Sequence, residues 1–142
     1  MGIKTRRQIQ CEEITTNQYR TSDNKVFMRK DEAESHETYL EWKEEVTKFG
    51  IKHMEDAYFC KTEEELDAVE YMLAYKNSSF RYPEQKFMPN FQYGNVVFTG
   101  PDWYFFHHEI NMNYPDEYWV ETMSQKKKEF NDWVKKFKDA EI

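Results

Sequence analysis

The chain has 142 residues, a length that suits one domain, and combines a charged fraction of 33% with an aromatic fraction of 18%. So many rings exclude a fully disordered chain, because aromatic side chains bury large areas. The formal net charge of −7 argues against general nucleic-acid binding, since a phosphate backbone selects a basic face.

The sequence predicts one α+β domain over residues 1–142 in a cytoplasmic setting. No apolar run is long enough to span a bilayer, so no membrane partner is expected. The N-terminal residues MGIKTRRQIQ lack the apolar core of a signal peptide. The two cysteines, Cys11 and Cys60, are therefore expected to be free thiols.

The N-terminal segment predicts β-structure. Residues Lys4–Ile14 favour a strand. The segments Gln18–Thr21 and Lys25–Met28 flank Ser22-Asp23-Asn24, where Asp and Asn tolerate turn geometry and bond their own backbone. This arrangement predicts a hairpin.

A helix is predicted from Asp31, with acidic residues in its first turn, where the helix dipole favours them. Gly50 suits the left-handed conformation that ends a helix. Residues at spacings of three and four predict one buried face, comprising Ala33, His36, Tyr39, Leu40, Trp42, Val46 and Phe49.

A short strand and a second helix are predicted next. Ala57–Cys60 is a short apolar run typical of a strand. Thr62 with Glu65 forms a capping box, which indicates the start of a helix that ends near Asn77. The buried stripe of this helix is predicted to consist of Leu66, Val69, Met72 and Leu73.

The following region predicts a long loop and a second group of strands. Phe80–Gly94 contains two prolines and a glycine among aromatic residues, and long ordered loops are often functional. Asn95–Thr99 and Trp103–Ile110 predict partner strands across a Gly-Pro-Asp turn. Tyr118–Thr122 predicts a further short strand.

A long C-terminal helix is predicted after a capping box formed by Thr122 and Gln125. One side of it carries apolar residues, namely Met123, Phe130, Trp133, Val134 and Phe137. The lysines of 126–128 and 135–138 occupy the other side, as a solvated face or as a place for an anionic ligand. The apolar stripe suits either core packing or pairing across a dimer, so a homo-oligomer through this helix stays open.

The order of these elements indicates an α+β fold in which a small antiparallel sheet packs against two or three helices and the C-terminal helix is long.

No metal site or catalytic motif is predicted. His107 and His108 are adjacent, and neighbours in a strand point to opposite faces, so they cannot easily share one ion. Cys60 could form a Cys–His pair with one of them, although a cysteine in an apolar run is more simply a small hydrophobic residue. The chain is not expected to be an enzyme or to hold a cofactor. A small nucleotide hydrolase that uses His107, His108 or Glu109 is the alternative.

The aromatic residues between positions 80 and 110 are the predicted binding region. On a strand, Trp103 and Phe105 share one face, and Tyr104 and Phe106 share the other. One pair should be core, and the other is available to stack on a base or to cover a partner, unless helices cover both faces. The predicted ligand-binding residues are Arg81, Tyr82, Trp103, Phe105 and His107.

The segment Thr21–Glu37 resembles a recurrent element of small, uncharacterised bacteriophage accessory proteins. The residues that carry the resemblance are Asp23-Asn24-Lys25-Val26-Phe27, a short acidic turn, and Glu32-Ala33-Glu34-Ser35-His36-Glu37. They match a D-N-K-x-F strand and an E-A-x-x-H-E helix start. The segments Lys61–Leu66 and Asn113–Tyr118 look like companion features of such proteins.

The resemblance implies a phage protein that acts in the host cytoplasm, and some proteins of this kind inhibit host defence. Anti-Thoeris sponge proteins sequester cyclic ADP-ribose-type signals in pockets lined by aromatic and basic residues. Anti-CRISPR proteins and similar inhibitors block a host defence or metabolic protein through a surface. The expected function is therefore sequestration of a nucleotide-derived immune signal, and the alternative is inhibition of a host protein.

Overall fold

The computed structural model describes residues 11–15, 18–76, 89–94 and 96–141. These residues form three helices and two antiparallel sheets, which confirms the α+β class. The backbone divides into two compact units, one drawn from Met1–Gly50 and Glu64–Gln92 and the other from Ile51–Glu63 and Tyr93–Ile142. The expected single sheet is replaced by one small sheet in each unit. The single domain over residues 1–142 stays a prediction.

The first unit contains a three-stranded sheet of β1 (Cys11–Thr15), β2 (Gln18–Thr21) and β3 (Val26–Phe27) in that order. The hairpin predicted around Ser22-Asp23-Asn24 is confirmed, since β2 and β3 pair antiparallel across it. Asn24 adopts a left-handed φ of 66°, which asparagine tolerates better than most residues. The predicted strand Lys4–Ile14 is observed at its C-terminal end, and residues 4–10 lie outside the described residues.

Helix α1 (Lys30–Lys48) contacts all three strands of this sheet. It begins one residue before the predicted start and runs into Gly50, whose φ of 69° is left-handed, as a helix end requires. Of its predicted apolar face, Ala33, Trp42 and Val46 are buried, whereas Phe49 is exposed. Polar side chains complete the buried face, namely Ser35, Glu37, Thr38 and Glu41.

Helix α2 (Glu63–Lys76) begins directly after Thr62, as the predicted capping box requires. All four residues of its predicted stripe are buried, namely Leu66, Val69, Met72 and Leu73. Tyr71 links this helix to the rest of the unit, with its ring centroid 4.9 Å from that of Trp42 and 5.8 Å from that of Phe91.

The second unit contains a four-stranded antiparallel sheet in the order β4 (Lys52–Met54), β5 (Ala57–Cys60), β6 (Asp102–Glu109) and β7 (Glu117–Thr122). The last three strands match predicted ones. Strand β4 was not predicted, because three mostly polar residues carry no strand pattern.

The predicted strand Asn95–Thr99 is wrong, since residues 96–99 form no regular structure and β6 pairs with β5 and β7 instead. A side chain holds this segment in place of a strand ladder. The Tyr104 hydroxyl accepts a hydrogen bond from the Thr99 N–H at 2.9 Å and donates one to the Gly100 carbonyl at 2.8 Å.

Helix α3 (Met123–Ala140) begins at the predicted capping box. The Thr122 hydroxyl accepts from the Gln125 N–H at 3.2 Å, and the Gln125 side chain accepts from the Thr122 N–H at 2.7 Å. None of the described residues of α3 is buried, so its apolar stripe is not core. Within the described ranges, no helix is long and apolar enough to cross a membrane.

Candidate functional site

The four-stranded sheet separates its aromatic residues onto two faces. Strand alternation sends Tyr104 and Phe106 to one side of β6, where both are buried. The side chains of Trp103, Phe105 and His107 project from the other side and are half-buried. The prediction that one pair is core is therefore confirmed, and the other pair, Trp103 and Phe105, is half-buried.

The accessible side is here called the ring face, and it consists of Phe59, Trp103, Phe105, His107 and Trp119. Register places these residues together, because Phe59 lies opposite Trp103 and His107 lies opposite Trp119.

The rings of this face are in contact with one another. His107 stacks on Trp119 with centroids 4.9 Å apart and planes 23° apart, and Phe105 lies 6.1 Å from His107 at 9°. Phe59 meets Trp103 edge-on at 5.5 Å. Trp119 is 41% exposed, so the array ends in an accessible indole surface. Such a surface can stack on a flat ligand or on a guanidinium group.

Two carboxylates and one lysine surround His107. Its Nε2 lies 2.9 Å from Oε1 of Glu121, and its Nδ1 lies 3.8 Å from Oδ2 of Asp56. Lys126 reaches the same Glu121 oxygen at 2.9 Å and lies 5.1 Å from the centroid of the Phe105 ring. These contacts orient the imidazole and place more negative than positive charge beside it.

The electrostatics of Glu121 follow from the same contacts. The hydrogen bond from Lys126 lowers the pKa of Glu121, and burial opposes the shift without cancelling it. The charge of Lys126 and the hydrogen bond from His107 add to the lowering. Glu121 is therefore a carboxylate near neutral pH, and it balances Lys126.

His108 lies on the opposite side of β6 from His107. It stacks on Tyr118 with centroids 4.3 Å apart, and its Nε2 lies 2.9 Å from Oδ2 of Asp116. The hydrogen bond from His108 lowers the pKa of Asp116. The two histidines thus have separate partners, as their adjacency predicts. No group of three or more His, Cys, Asp or Glu side chains placed to hold a metal occurs in the part of the chain that the structure describes.

Cys60 is buried on the core side of β5, opposite Asp102. His107 projects from the other side of the sheet, and His108 is six positions along β6 from Asp102, roughly 20 Å away. The structure does not bring Cys60 together with either histidine, so a Cys–His pair is not formed.

Three of the five predicted ligand-binding residues, Trp103, Phe105 and His107, share the ring face. The other two, Arg81 and Tyr82, lie outside the described residues, as does most of the predicted loop Phe80–Gly94. Sequence reasoning missed Trp119, Glu121 and Asp56. It assigned Lys126 to the side of α3 away from the apolar residues, which is wrong, since Lys126 contacts Glu121 and Phe105 on the ring face. The alternation of Trp119 with Glu121 on a predicted strand was the available signal, but their proximity to His107 depends on the β6–β7 register.

The segment Thr21–Glu37 of the first unit forms a polar junction between the hairpin and α1. Glu37, buried on α1, accepts hydrogen bonds from the backbone N–H of Ser22 and from its hydroxyl, the latter at 3.0 Å. His36 lies 2.8 Å from Oδ2 of Asp23, and its ring centroid lies 5.2 Å from that of Phe27. The motif residues therefore hold a turn against a helix.

His36, which the helical spacing assigns to the apolar face of α1, is thus a hydrogen-bonded residue of the helix. The ring face is the stronger candidate for binding, because it combines accessible rings with an oriented histidine. Comparison with known proteins finds no family model, no curated protein and no solved structure that matches this chain.

Proposed function

We propose that this protein is a bacteriophage counter-defence factor that acts in the host cytoplasm by binding its target on the ring face. The resemblance of Thr21–Glu37 to small phage proteins supports the phage context. The observation that carries the binding role is the line of contacting rings from Phe105 through His107 to the exposed Trp119. Exposed rings in contact with one another are typical of recognition surfaces.

The charges beside the rings favour a host protein as the target. Asp56 and Glu121 both face His107, and Lys126 is already engaged by Glu121. A phosphate-bearing ligand would meet this negative charge, whereas an arginine-rich protein surface could stack on Trp119 and pair with Asp56. Inhibition of a host defence or metabolic protein through its surface is therefore the preferred version.

A nucleotide-derived signal of the cyclic ADP-ribose type is the second candidate. The near-parallel stack of His107 on Trp119 favours it, because a base presents the same kind of flat ring to a stacking surface. The protein would then sequester the signal without converting it. The chain is predicted not to be an enzyme, and turnover of the nucleotide that is lost on replacing His107 would contradict that prediction.

The two candidates can be separated with one set of variants. Trp119→Ser removes the exposed end of the ring array, and Tyr114→Ser changes an exposed ring on the β6–β7 connection as the matched control. Immobilised protein is first presented with lysate of a bacterial host, and each variant is then titrated with purified cyclic ADP-ribose by calorimetry.

Retention of one host protein by wild type and Tyr114→Ser, but not by Trp119→Ser, supports the surface inhibitor. Stoichiometric binding of cyclic ADP-ribose with the same dependence on Trp119 supports the sponge. If Trp119→Ser retains every interaction of the wild type, the ring face is not the binding surface.

A further inference from the structure

Helix α3 leaves a stripe of three aromatic side chains open to solvent. Phe130, Trp133 and Phe137 are 62%, 55% and 56% exposed. The ring centroid of Trp133 lies 6.0 Å from that of Phe130 and 4.8 Å from that of Phe137, so the stripe is continuous. We propose that this stripe pairs antiparallel with the same stripe of a second copy of the chain. This inference does not rest on the proposed function.

The spacing of residues along α3 matches a heptad seam. One row contains Met123, Phe130 and Phe137 at intervals of seven, and the adjacent row contains Lys126, Trp133 and Ala140. These are the a and d positions of a two-stranded helical pairing. Glu129 and Lys136 then occupy g positions, at the edge of the seam.

The charges along the edge are complementary in the antiparallel direction. When a positions of one helix meet d positions of the other, Phe130 packs against Trp133 of the second copy. In that register Glu129 faces Lys136 of the second copy, and the two-fold symmetry repeats this ion pair. The chain thus carries its own complementary charge at the interface.

A parallel pairing fits the same residues less well. It would align the d positions, so that Lys126 would face Lys126 of the second copy. Glu129 would then face Val134, and the ion pair would lie between Lys136 and Glu141, the residue that caps the end of α3. Like charges set against each other are an unfavourable arrangement in a helical pair.

The exposed ring area sets the expected strength of the pairing. An aromatic side chain has roughly 200 Å² of surface, so the six rings of two helices would remove about 700 Å² from water. Lysine stems and Val134 on the same side of α3 would add to this area. The rings alone fall short of the lower end of stable interfaces, about 1,200 Å², so the dimer is expected to be weak and concentration-dependent.

Sedimentation equilibrium of the full chain over a wide concentration range tests the pairing. The variants are Glu129→Lys, Lys136→Glu and the double exchange of both residues. Both positions are exposed, so far-UV circular dichroism should stay that of the wild type. Each single reversal should weaken dimerisation by about tenfold or more, through two like-charge contacts per dimer.

The double exchange should restore the wild-type dimerisation constant, because the antiparallel ion pair is rebuilt with its charges swapped. In a parallel dimer the exchange would set a glutamate at position 136 against Glu141 and would not restore it. A wild-type protein that stays monomeric at about 500 µM, or single reversals without effect, would overturn the proposal.

Discussion

Nε2 of His107 and Nζ of Lys126 both lie 2.9 Å from the same carboxylate oxygen of Glu121. One acidic side chain on β7 therefore joins the histidine of β6 to the first turns of α3. The ring face and the helix that carries the exposed stripe thus share one charged side chain.

Replacement of Glu121 should loosen this link. The folded-state pKa of Glu121 is lowered, chiefly by the hydrogen bond from Lys126, so its contribution is present above its ordinary pKa and is lost as the pH falls through the lowered value. Glu121→Gln should therefore destabilise the protein near neutral pH. The expected loss of unfolding free energy is only about 0.5–1 kcal/mol, because the side chain is partly open to solvent, which weakens its ion pair.

The measurement is thermal unfolding from pH 7 down to the acid range, with Glu117→Gln on the same strand as control. The difference between Glu121→Gln and wild type should shrink as the pH falls. An equal or growing difference in acid would contradict the assignment of Glu121 as the charged link.

Asp23 should give the hairpin of the first unit its own acid sensitivity. Burial opposes ionisation of Asp23, but hydrogen bonds from Thr21 and His36 and the charge of His36 outweigh it and lower the pKa to about 2. Since this pKa lies below the ordinary value of 3.8, the stabilisation is full above pH 3.8 and disappears as the pH falls through about 2.

Asp23→Asn should cost about 1 kcal/mol of unfolding free energy near neutral pH, a figure reduced for solvent screening because the side chain is 31% exposed. Chemical denaturation at pH 6 and at pH 2 tests this, with Asp132→Asn on the exposed side of α3 as control. If Asp23→Asn lowered the unfolding free energy by the same amount at pH 2 as at pH 6, the negative charge of Asp23 would not be the source of the stabilisation.

Local patterns were sufficient for part of this structure. The alternation of Trp103–Phe106 separated core rings from accessible rings, because a strand places neighbours on opposite faces. The capping pair Thr122 and Gln125 located the start of α3, since both hydrogen bonds form within four residues.

Other features depend on contacts that no local pattern encodes. Glu121 and Asp56 approach His107 only through strand pairing across the sheet. Residues 96–99 looked like a strand because Val96, Val97 and Phe98 favour β-structure, yet the Tyr104 hydroxyl holds this segment instead. The periodicity of α3 indicated an apolar stripe but not whether the stripe would be covered.

Tyr104→Phe should destabilise the second unit without changing its shape. Tyr104 is almost fully buried, and its hydroxyl bonds both the Thr99 N–H and the Gly100 carbonyl. Loss of the hydroxyl removes the hydrogen-bond partner of both backbone groups, which should lower the unfolding free energy by about 1–3 kcal/mol. Urea denaturation should show a lower midpoint with an unchanged slope, whereas Tyr114→Phe on the exposed connection should match wild type. A Tyr104→Phe midpoint equal to wild type would mean that the hydroxyl does not anchor the segment.

The start of α3 should depend on the Thr122 hydroxyl. It accepts the Gln125 N–H, and the Gln125 side chain accepts the Thr122 N–H in return. Thr122→Ala breaks half of this box and should cost about 1 kcal/mol. Thr122→Ser keeps the hydroxyl and is the matched control. Thermal unfolding followed by circular dichroism should place Thr122→Ser closer to wild type than Thr122→Ala, which loses the hydroxyl as well as the buried methyl group. If serine and alanine proved equally destabilising, the loss would come from the threonine methyl group, which is buried here, and not from the cap.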